Sequence, residues 1–140
     1  YWIDKWHISP YYATAHAICV LAELSRARYG ESVAMLEAPL RWLRQTQNGD
    51  GSWGFYGVPT LEETALVVLA LCAAQDHPEA ERDRERCAAA IRYIRAEAAR
   101  NHGYPGVALP PLWIDKCLYT PQGVVRAIID AALFAFAQAA

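Results

Sequence analysis

The sequence predicts an all-α domain of about five helices, arranged as part of an α/α toroid in which inner and outer helices alternate. Helix-start signals recur along the chain, capped apolar helices alternate with arginine-rich ones, and no segment carries a competing strand signal. Five helices cannot close such a ring, so we expect a piece of a larger domain. The lack of an initiating Met before Tyr1 leads to the same expectation.

Local signals place each helix. Ser9 is the predicted N-cap of the first helix, with Pro10 at its first helical position. Thr60 and Glu63 form a capping box before a run that is apolar on every face, which indicates a helix surrounded by protein. Pro39 lies inside the second helix, which is therefore kinked or begins later than its apolar pattern suggests. The predicted helices are 9–28, 32–47, 60–74, 76 or 78 to 100, and 120–138.

The segment that joins the second and third helices is rich in residues with special roles. It contains Trp42, Gln47, Gly51 and Trp53, and its turn residues at 48–51 end the helix. A surface loop has little reason to hold two tryptophans around a glutamine. We expect the Gln47 amide to stack on an indole face and to hydrogen-bond helix ends, which would tie adjacent helices together.

An internal repeat surrounds this segment. Trp2–Lys5 recurs as Trp113–Lys116, and each copy is followed by a hydroxyl residue and a proline that open an apolar helix. The middle copy, Trp53–Thr60, keeps the spacing with the proline before the hydroxyl residue. One supersecondary unit is therefore predicted to occur three times, with the tryptophan- and tyrosine-rich loops converging at one end.

Composition excludes several classes of protein. Hydrophobic residues make up 54%, yet no run is long enough to span a bilayer, and the net charge of -2 gives no reason to expect nucleic acid. The four cysteines lack paired spacing and are expected to be reduced in a cytoplasmic protein. The four histidines lack metal-ligand spacing, so no metal site is predicted from this chain alone.

Three motifs carry a resemblance to a known family. The pattern Trp42-Leu43-x3-Gln47-x3-Gly51-x-Trp53 is similar to the QW motif of terpene cyclases. The segments 4–15 and 111–121 resemble motifs of bacterial class II diterpene cyclases of the copalyl diphosphate synthase type, with Asp115 in place of a commoner glycine. The resemblance implies a toroid of the terpenoid cyclase/prenyltransferase type. It also implies that residues 1–140 are the C-terminal portion of the β domain.

The resemblance implies a reaction as well. Class II diterpene cyclases protonate geranylgeranyl diphosphate or a related prenyl diphosphate, cyclise it and retain the diphosphate. Their acid lies in a DxDD motif that these residues lack, so no catalytic acid is expected here and the segment alone should be inactive. No cofactor is expected in this segment, and Mg²⁺ is expected for the full enzyme. The expected partners are the substrate and the rest of the polypeptide, meaning the remaining β and γ domains.

The resemblance assigns cavity-lining roles to Tyr12, Trp53 and Tyr119. Tyr11 and His16 are further candidates for the substrate cavity. From the residues alone, ordinary core packing is the alternative for each of these side chains.

Several charged residues have two interpretations. Lys116 and Lys5 are candidates for binding diphosphate or for an ion pair with the preceding aspartate. His7, like His16, could act as a base or orient the acid. Glu62 and Glu63 could polarise a water or a partner acid, although capping is the simpler role for Glu63.

Two other functions stay open at this point. A squalene-hopene-type triterpene cyclase is disfavoured because Lys116 occupies a position where that group has tyrosine. A non-catalytic α/α-toroid binding module has the same fold. A prenyltransferase subunit would require a zinc site of Asp, Cys and His, and the sequence shows none.

Overall fold

The computed structural model describes residues 1–27, 31–101 and 109–139. These residues form five helices and one short hairpin, which confirms the predicted all-α class. The elements are α1 (Pro10–Arg26), α2 (Glu31–Gln45), α3 (Leu61–Ala73), α4 (Ala80–Arg100), β1 (Trp113–Ile114), β2 (Leu118–Tyr119) and α5 (Gln122–Gln138). The position of Arg28, the predicted end of the first helix, lies outside the described residues.

Helix α3 lies at the centre of the fold. It packs against α1, α4 and α5, while α2 packs against α1. No residue of α3 is exposed. This confirms the prediction from its apolar run that protein surrounds the helix. Helices α1, α3 and α5 therefore form an inner row, and α2 and α4, which carry most of the arginines, lie outside it. This is the alternation expected of a toroid segment.

The expectation of no strand is wrong at one place. Strands β1 and β2 pair antiparallel, with Trp113 opposite Tyr119 and Ile114 opposite Leu118. The chain reverses between them, where the Asp115 amide donates to the Cys117 carbonyl at 3.1 Å. Two-residue strands carry too little alternation to be recognised in a sequence.

Helix starts agree with prediction where a side chain provides the cap. The Ser9 hydroxyl accepts from the Tyr11 amide, and α1 begins at Pro10. The predicted start of α5 is wrong because the Thr120 hydroxyl donates to carbonyls in the preceding loop, so the helix begins at Gln122 with no side-chain cap. Helix α4 likewise begins at Ala80, later than predicted, and α2 continues through its internal proline.

The predicted capping box at α3 is only partly correct. Thr60 accepts from the Glu63 amide at 3.0 Å, as expected. The Thr60 amide, however, donates to the Trp53 carbonyl at 3.1 Å and is not available to Glu63. The Glu63 carboxylate accepts instead from the Thr60 hydroxyl at 2.7 Å and from the Phe55 amide at 3.2 Å.

Candidate functional site

The glutamine of the QW motif joins three parts of the chain. The Gln47 side-chain amide follows α2 and donates to the Gly51 carbonyl and to the Arg86 carbonyl, both at 3.0 Å. Because Arg86 belongs to α4, these two bonds connect the end of α2, the loop and α4. Its hydrogen bonds therefore tie neighbouring elements together.

Gly51 is required by close packing as well as by its backbone conformation. Its φ is +91°, in the region that favours glycine. A methyl group at this position would lie 2.7 Å from the carbonyl carbon of Ala89, within α4. The loop can therefore approach α4 closely only because residue 51 has no side chain.

Trp53 belongs to the core. Its side chain is 0% exposed, and the indole N–H donates to the Leu43 carbonyl at 2.8 Å. Further polypeptide can only cover more surface, so the expected cavity role of Trp53 has no support from its position. Tyr11 is also buried and stacks on Trp42, with ring centroids 4.6 Å apart. Both residues hold together the segment that contains the QW motif, residues 42–53, which we call the QW junction.

The two outer copies of the internal repeat meet through their backbones. The Ile8 amide donates to the Leu112 carbonyl at 2.9 Å, and the Ile114 amide donates to the Trp6 carbonyl at 2.8 Å. His7 and Trp113 thereby face each other in an isolated antiparallel bridge. The start of α1 is thus fixed beside β1.

Glu62 connects this bridge to α3. Its Oε1 atom accepts from the Trp113 indole N–H at 2.7 Å and lies 3.2 Å from His7 Nε2. The Nδ1 atom of His7 lies 3.1 Å from the Ser9 amide nitrogen and 3.3 Å from the Ser9 carbonyl oxygen, so these two contacts do not assign the tautomer of the ring. Both side chains are almost fully buried, at 0% exposure for His7 and 1% for Glu62.

Aromatic rings surround this contact. The His7 and Tyr12 rings stack at 4.6 Å and 10°, and the Trp113 ring meets Tyr12 edge-on at 5.0 Å. His16 lies 4.4 Å from the Tyr12 ring and its Nδ1 lies 2.8 Å from the Tyr12 carbonyl oxygen. Burial raises the pKa of Tyr12, and the charges of nearby carboxylates raise it further. We call His7, Tyr12, Glu62 and Trp113 the aromatic junction.

The remaining predicted cavity residue lies next to the aromatic junction. Tyr119 is the cross-strand partner of Trp113, and cross-strand partners share one face of a ribbon. It is 41% exposed, so its ring is available to further polypeptide or a ligand. Tyr12, His16 and Tyr119 are therefore brought to one end of the inner helices, whereas Tyr11 and Trp53 lie in the core.

The two candidate lysines are both exposed. The Lys5 ammonium lies 4.7 Å from the centroid of the Trp6 ring, a cation–π contact. Lys116 lies in the turn between β1 and β2. Among the described residues neither lysine forms the predicted ion pair with the preceding aspartate, and Asp4 instead accepts from the Trp6 amide at 2.6 Å.

Trp113 was not among the predicted site residues and was recognised only as part of the repeat and of the motif at 111–121. Glu62 was predicted to polarise a water or a partner acid, but its contacts with His7 and Trp113 were not predicted. The Glu62–His7 contact joins positions 55 residues apart, and no local pattern indicates it. The repeat itself was the available signal, because it placed an aromatic residue at each junction.

The described residues contain no group of three or more His, Cys, Asp or Glu side chains that could hold a metal ion. They therefore do not supply a site for the expected Mg²⁺, and no step is assigned to it.

A cavity of about 320 Å³ lies near the C-terminal ends of α3 and α5, lined in part by Cys72, Cys87 and Phe136. It is distant from the aromatic junction, which lies at the N-terminal end of α3.

The fold and the QW junction define this chain as an all-α segment of the terpenoid cyclase fold. It superposes on an ent-copalyl diphosphate synthase from Streptomyces platensis with a TM-score of 0.82 and 36% identity, covering 96% of this chain and 24% of that one. It is 45% identical over 136 residues to an ent-copalyl diphosphate synthase of Streptomyces sp. (strain KO-3988), covering 96% of this chain and 24% of the relative.

A labda-7,13-dienyl diphosphate synthase from Streptomyces clavuligerus is 43% identical over 133 residues, which cover 95% of this chain and 22% of that protein. No protein-family model matches the chain. The chain is thus homologous to one segment of the bacterial class II diterpene cyclases and spans about a quarter of their length. No helix among the described residues is both long and apolar enough to cross a membrane.

Proposed function

We propose that the protein containing this segment is a class II diterpene cyclase. It protonates geranylgeranyl diphosphate or a related prenyl diphosphate, cyclises it and retains the diphosphate. The observation that carries the proposal is the 45% identity to an ent-copalyl diphosphate synthase over 96% of this chain. Residues 1–140 then form the C-terminal portion of the β domain, with the proton donor in the part of the polypeptide outside them.

The aromatic junction suits the chemistry of such a reaction. A cyclising prenyl chain carries a positive charge on carbon, and aromatic faces attract a cation without reacting with it. Tyr12 and Trp113 supply such faces at one end of the inner helices, with Tyr119 and His16 beside them. In this proposal these residues contribute to the cavity wall, and Trp53 supports the wall from within the core.

The lysines have a separate role in the proposal. Lys116 and Lys5 are exposed near the aromatic junction and could bind the diphosphate oxygens of the substrate. Any Mg²⁺ would be held by the rest of the enzyme. The other partners are the remaining β and γ domains of the same polypeptide, and the protein is placed in the cytoplasm.

The first experiment tests the reaction itself. The full-length protein is incubated with geranylgeranyl diphosphate, and the products are treated with phosphatase and analysed by mass spectrometry. We expect a bicyclic alcohol, which shows that the diphosphate was retained until the phosphatase step. Recovery of unchanged geranylgeraniol from a folded protein would contradict the proposal, and conversion of squalene would support the triterpene alternative.

The second experiment tests whether Tyr12 forms part of the wall of the substrate cavity. Tyr12→Leu removes an aromatic face, whereas Tyr12→Phe keeps it and removes only the hydroxyl. Because a cation–π contact contributes about 1–2 kcal/mol, we expect kcat to fall about 5- to 30-fold in the leucine variant and to stay near wild type in the phenylalanine variant. Equal kcat values for the two variants would show that the Tyr12 ring does not stabilise the reaction.

A further inference from the structure

The indole N–H groups of Trp53 and Trp113 are held in different ways. The Trp53 N–H donates to the backbone carbonyl of Leu43, a group that every residue has. The Trp113 N–H donates instead to a side-chain atom, Glu62 Oε1, at 2.7 Å. Among the described residues this is the only hydrogen bond of the Trp113 side chain. The hydrogen bond that orients Trp113 therefore depends on a single residue.

Glu62 is a suitable anchor because it lies in the most enclosed helix of the fold. It belongs to the first turn of α3, where it is 1% exposed. Its Oε1 atom makes the contact with Trp113, whereas its Oε2 atom has no partner among the described residues. The contact with the indole thus requires one oxygen atom at a fixed place.

The orientation of the Trp113 ring decides how the ring acts on a positive charge. The face of an aromatic ring is negative and its edge is positive, so a cation is attracted by the face and repelled by the edge. The ring plane of Trp113 lies at 77° to His7 and at 71° to Tyr12, in two edge-on contacts. A rotated indole would lose both contacts and would present a different surface to the cavity.

Packing alone covers only part of this indole. Trp113 is half-buried, and its strand β1 has two residues. Trp53, by contrast, is enclosed by the core on all sides. The hydrogen bond to Glu62 is therefore needed to fix the ring of Trp113, although the core would fix the ring of Trp53.

We propose that Glu62 is a positioning residue whose hydrogen bond to Trp113 holds the indole face toward the substrate cavity, where the ring stabilises the carbocation of the cyclisation. The inference rests on the proposed function. No bond to Glu62 forms or breaks during the reaction, and no proton leaves it. Glu62 acts by supplying an acceptor to the indole N–H, and its negative charge is not required.

The first test replaces Glu62 in the full-length enzyme, with geranylgeranyl diphosphate as substrate. Glu62→Gln keeps an oxygen for the indole N–H and places its NH₂ group at Oε2, whereas Glu62→Met removes the acceptor. We expect Glu62→Met to lower kcat about 5- to 30-fold and to change KM less than about 3-fold, because the carbocation exists only during the reaction. Glu62→Gln should keep kcat within about 3-fold of wild type.

A second replacement separates reach from charge. Glu62→Asp keeps the carboxylate but is one methylene shorter, so its oxygen is withdrawn from the indole N–H. We expect the same loss of kcat as in Glu62→Met, about 5- to 30-fold. This variant also decides the question if Glu62→Met does not fold.

A double-mutant cycle tests whether Glu62 acts through Trp113. Trp113→Leu removes the ring, so that Glu62 has no indole to orient. Adding Glu62→Met to Trp113→Leu should then lower kcat by less than about 2-fold. Glu63→Met is the matched control, because Glu63 is equally buried but accepts from Phe55 and Thr60. It should lower the melting temperature and leave kcat near wild type.

Three kinetic results would overturn the inference. A wild-type kcat in folded Glu62→Met would show that the anchor is not needed. Equal losses in Glu62→Gln and Glu62→Met would show that the charge matters rather than the acceptor. Independent losses from Glu62→Met and Trp113→Leu would show that Glu62 does not act through the indole.

A structural test separates this inference from the proposed function. In crystal structures of the full-length protein, we expect the Trp113 N–H to contact residue 62 in the wild type and in Glu62→Gln, and the indole to be rotated in Glu62→Met and Glu62→Asp. An unchanged ring in both of these variants would overturn the inference whatever the substrate. If the ring rotates but the wild-type protein converts no prenyl diphosphate, the anchor stands, and both the proposed function and the role of Glu62 in cyclisation fail.

Discussion

Four glycines near the QW junction differ in two constraints on a side chain: a positive φ, and the distance from an added methyl group to neighbouring atoms. Gly51 has a positive φ of +91° and a predicted overlap, with a methyl group 2.7 Å from the backbone of α4. Gly57 has a φ of +76° and nothing within 4 Å. Gly54 has no positive φ, but a methyl group would lie 2.0 Å from a carbonyl oxygen of its own loop. Gly49 has neither constraint.

These two constraints determine how much each glycine-to-alanine substitution should change the free energy of unfolding. A positive φ costs about 1–2 kcal/mol for a residue with a Cβ, and alanine regains about 0.4–1 kcal/mol by restricting the unfolded chain. Overlap with backbone adds about 1–3 kcal/mol. We therefore expect Gly49→Ala to change the free energy of unfolding by less than about 1 kcal/mol, and Gly57→Ala to lower it by about 1 kcal/mol. Gly51→Ala should lower it by about 2–4 kcal/mol.

The four alanine variants are compared in the full-length protein by thermal unfolding and by hydrogen exchange at the amides of 48–53. Gly54→Ala should lower the free energy of unfolding more than Gly57→Ala does, because its methyl group would lie 2.0 Å from a backbone carbonyl oxygen of the loop. The exchange data localise the effect, because Gly51→Ala should release the Gln47 bonds to the loop and to α4. If Gly51→Ala is no more destabilising than Gly57→Ala, the close approach of the loop to α4 is not required for stability.

Two further predictions concern charged groups. Asp83 is 2% exposed and accepts a hydrogen bond from Arg44 at 2.7 Å, so Asp83→Asn should lower the free energy of unfolding by about 3–5 kcal/mol. Glu79 also pairs with Arg44 but is 41% exposed, so Glu79→Gln should lower the free energy of unfolding by less than about 1 kcal/mol. Both variants are measured by denaturant titration. The Ser52 hydroxyl lowers the pKa of Asp50 below 3.8, so this carboxylate stabilises the fold above that pH and the contribution is lost as pH falls through the folded pKa. Asp50→Asn should remove that part of the acid dependence of the melting temperature, and an unchanged profile would contradict it.

Features set by neighbouring residues could be predicted from the sequence. The Ser9 cap depends on atoms two residues apart, and the apolar run in α3 reports directly that protein surrounds it. The start of α5 was misplaced because the Thr120 hydroxyl donates to carbonyls 10 and 11 residues away in the chain. A capping pattern shows that a hydroxyl is available, but it does not show which backbone group that hydroxyl will bind.

The aromatic junction could not be predicted from the motifs alone. Each copy of the repeat was recognisable, yet the pairing of the first copy with the last depends on α1 and α5 both packing beside α3. Trp53 and Trp113 occupy related places in the repeat. One indole is sealed against α2 by its bond to Leu43, while the other donates to Glu62 at the end of the inner helices. The repeat therefore specifies the residue type at each junction, and the packing of the helices decides whether that residue lies in the core or in the aromatic junction.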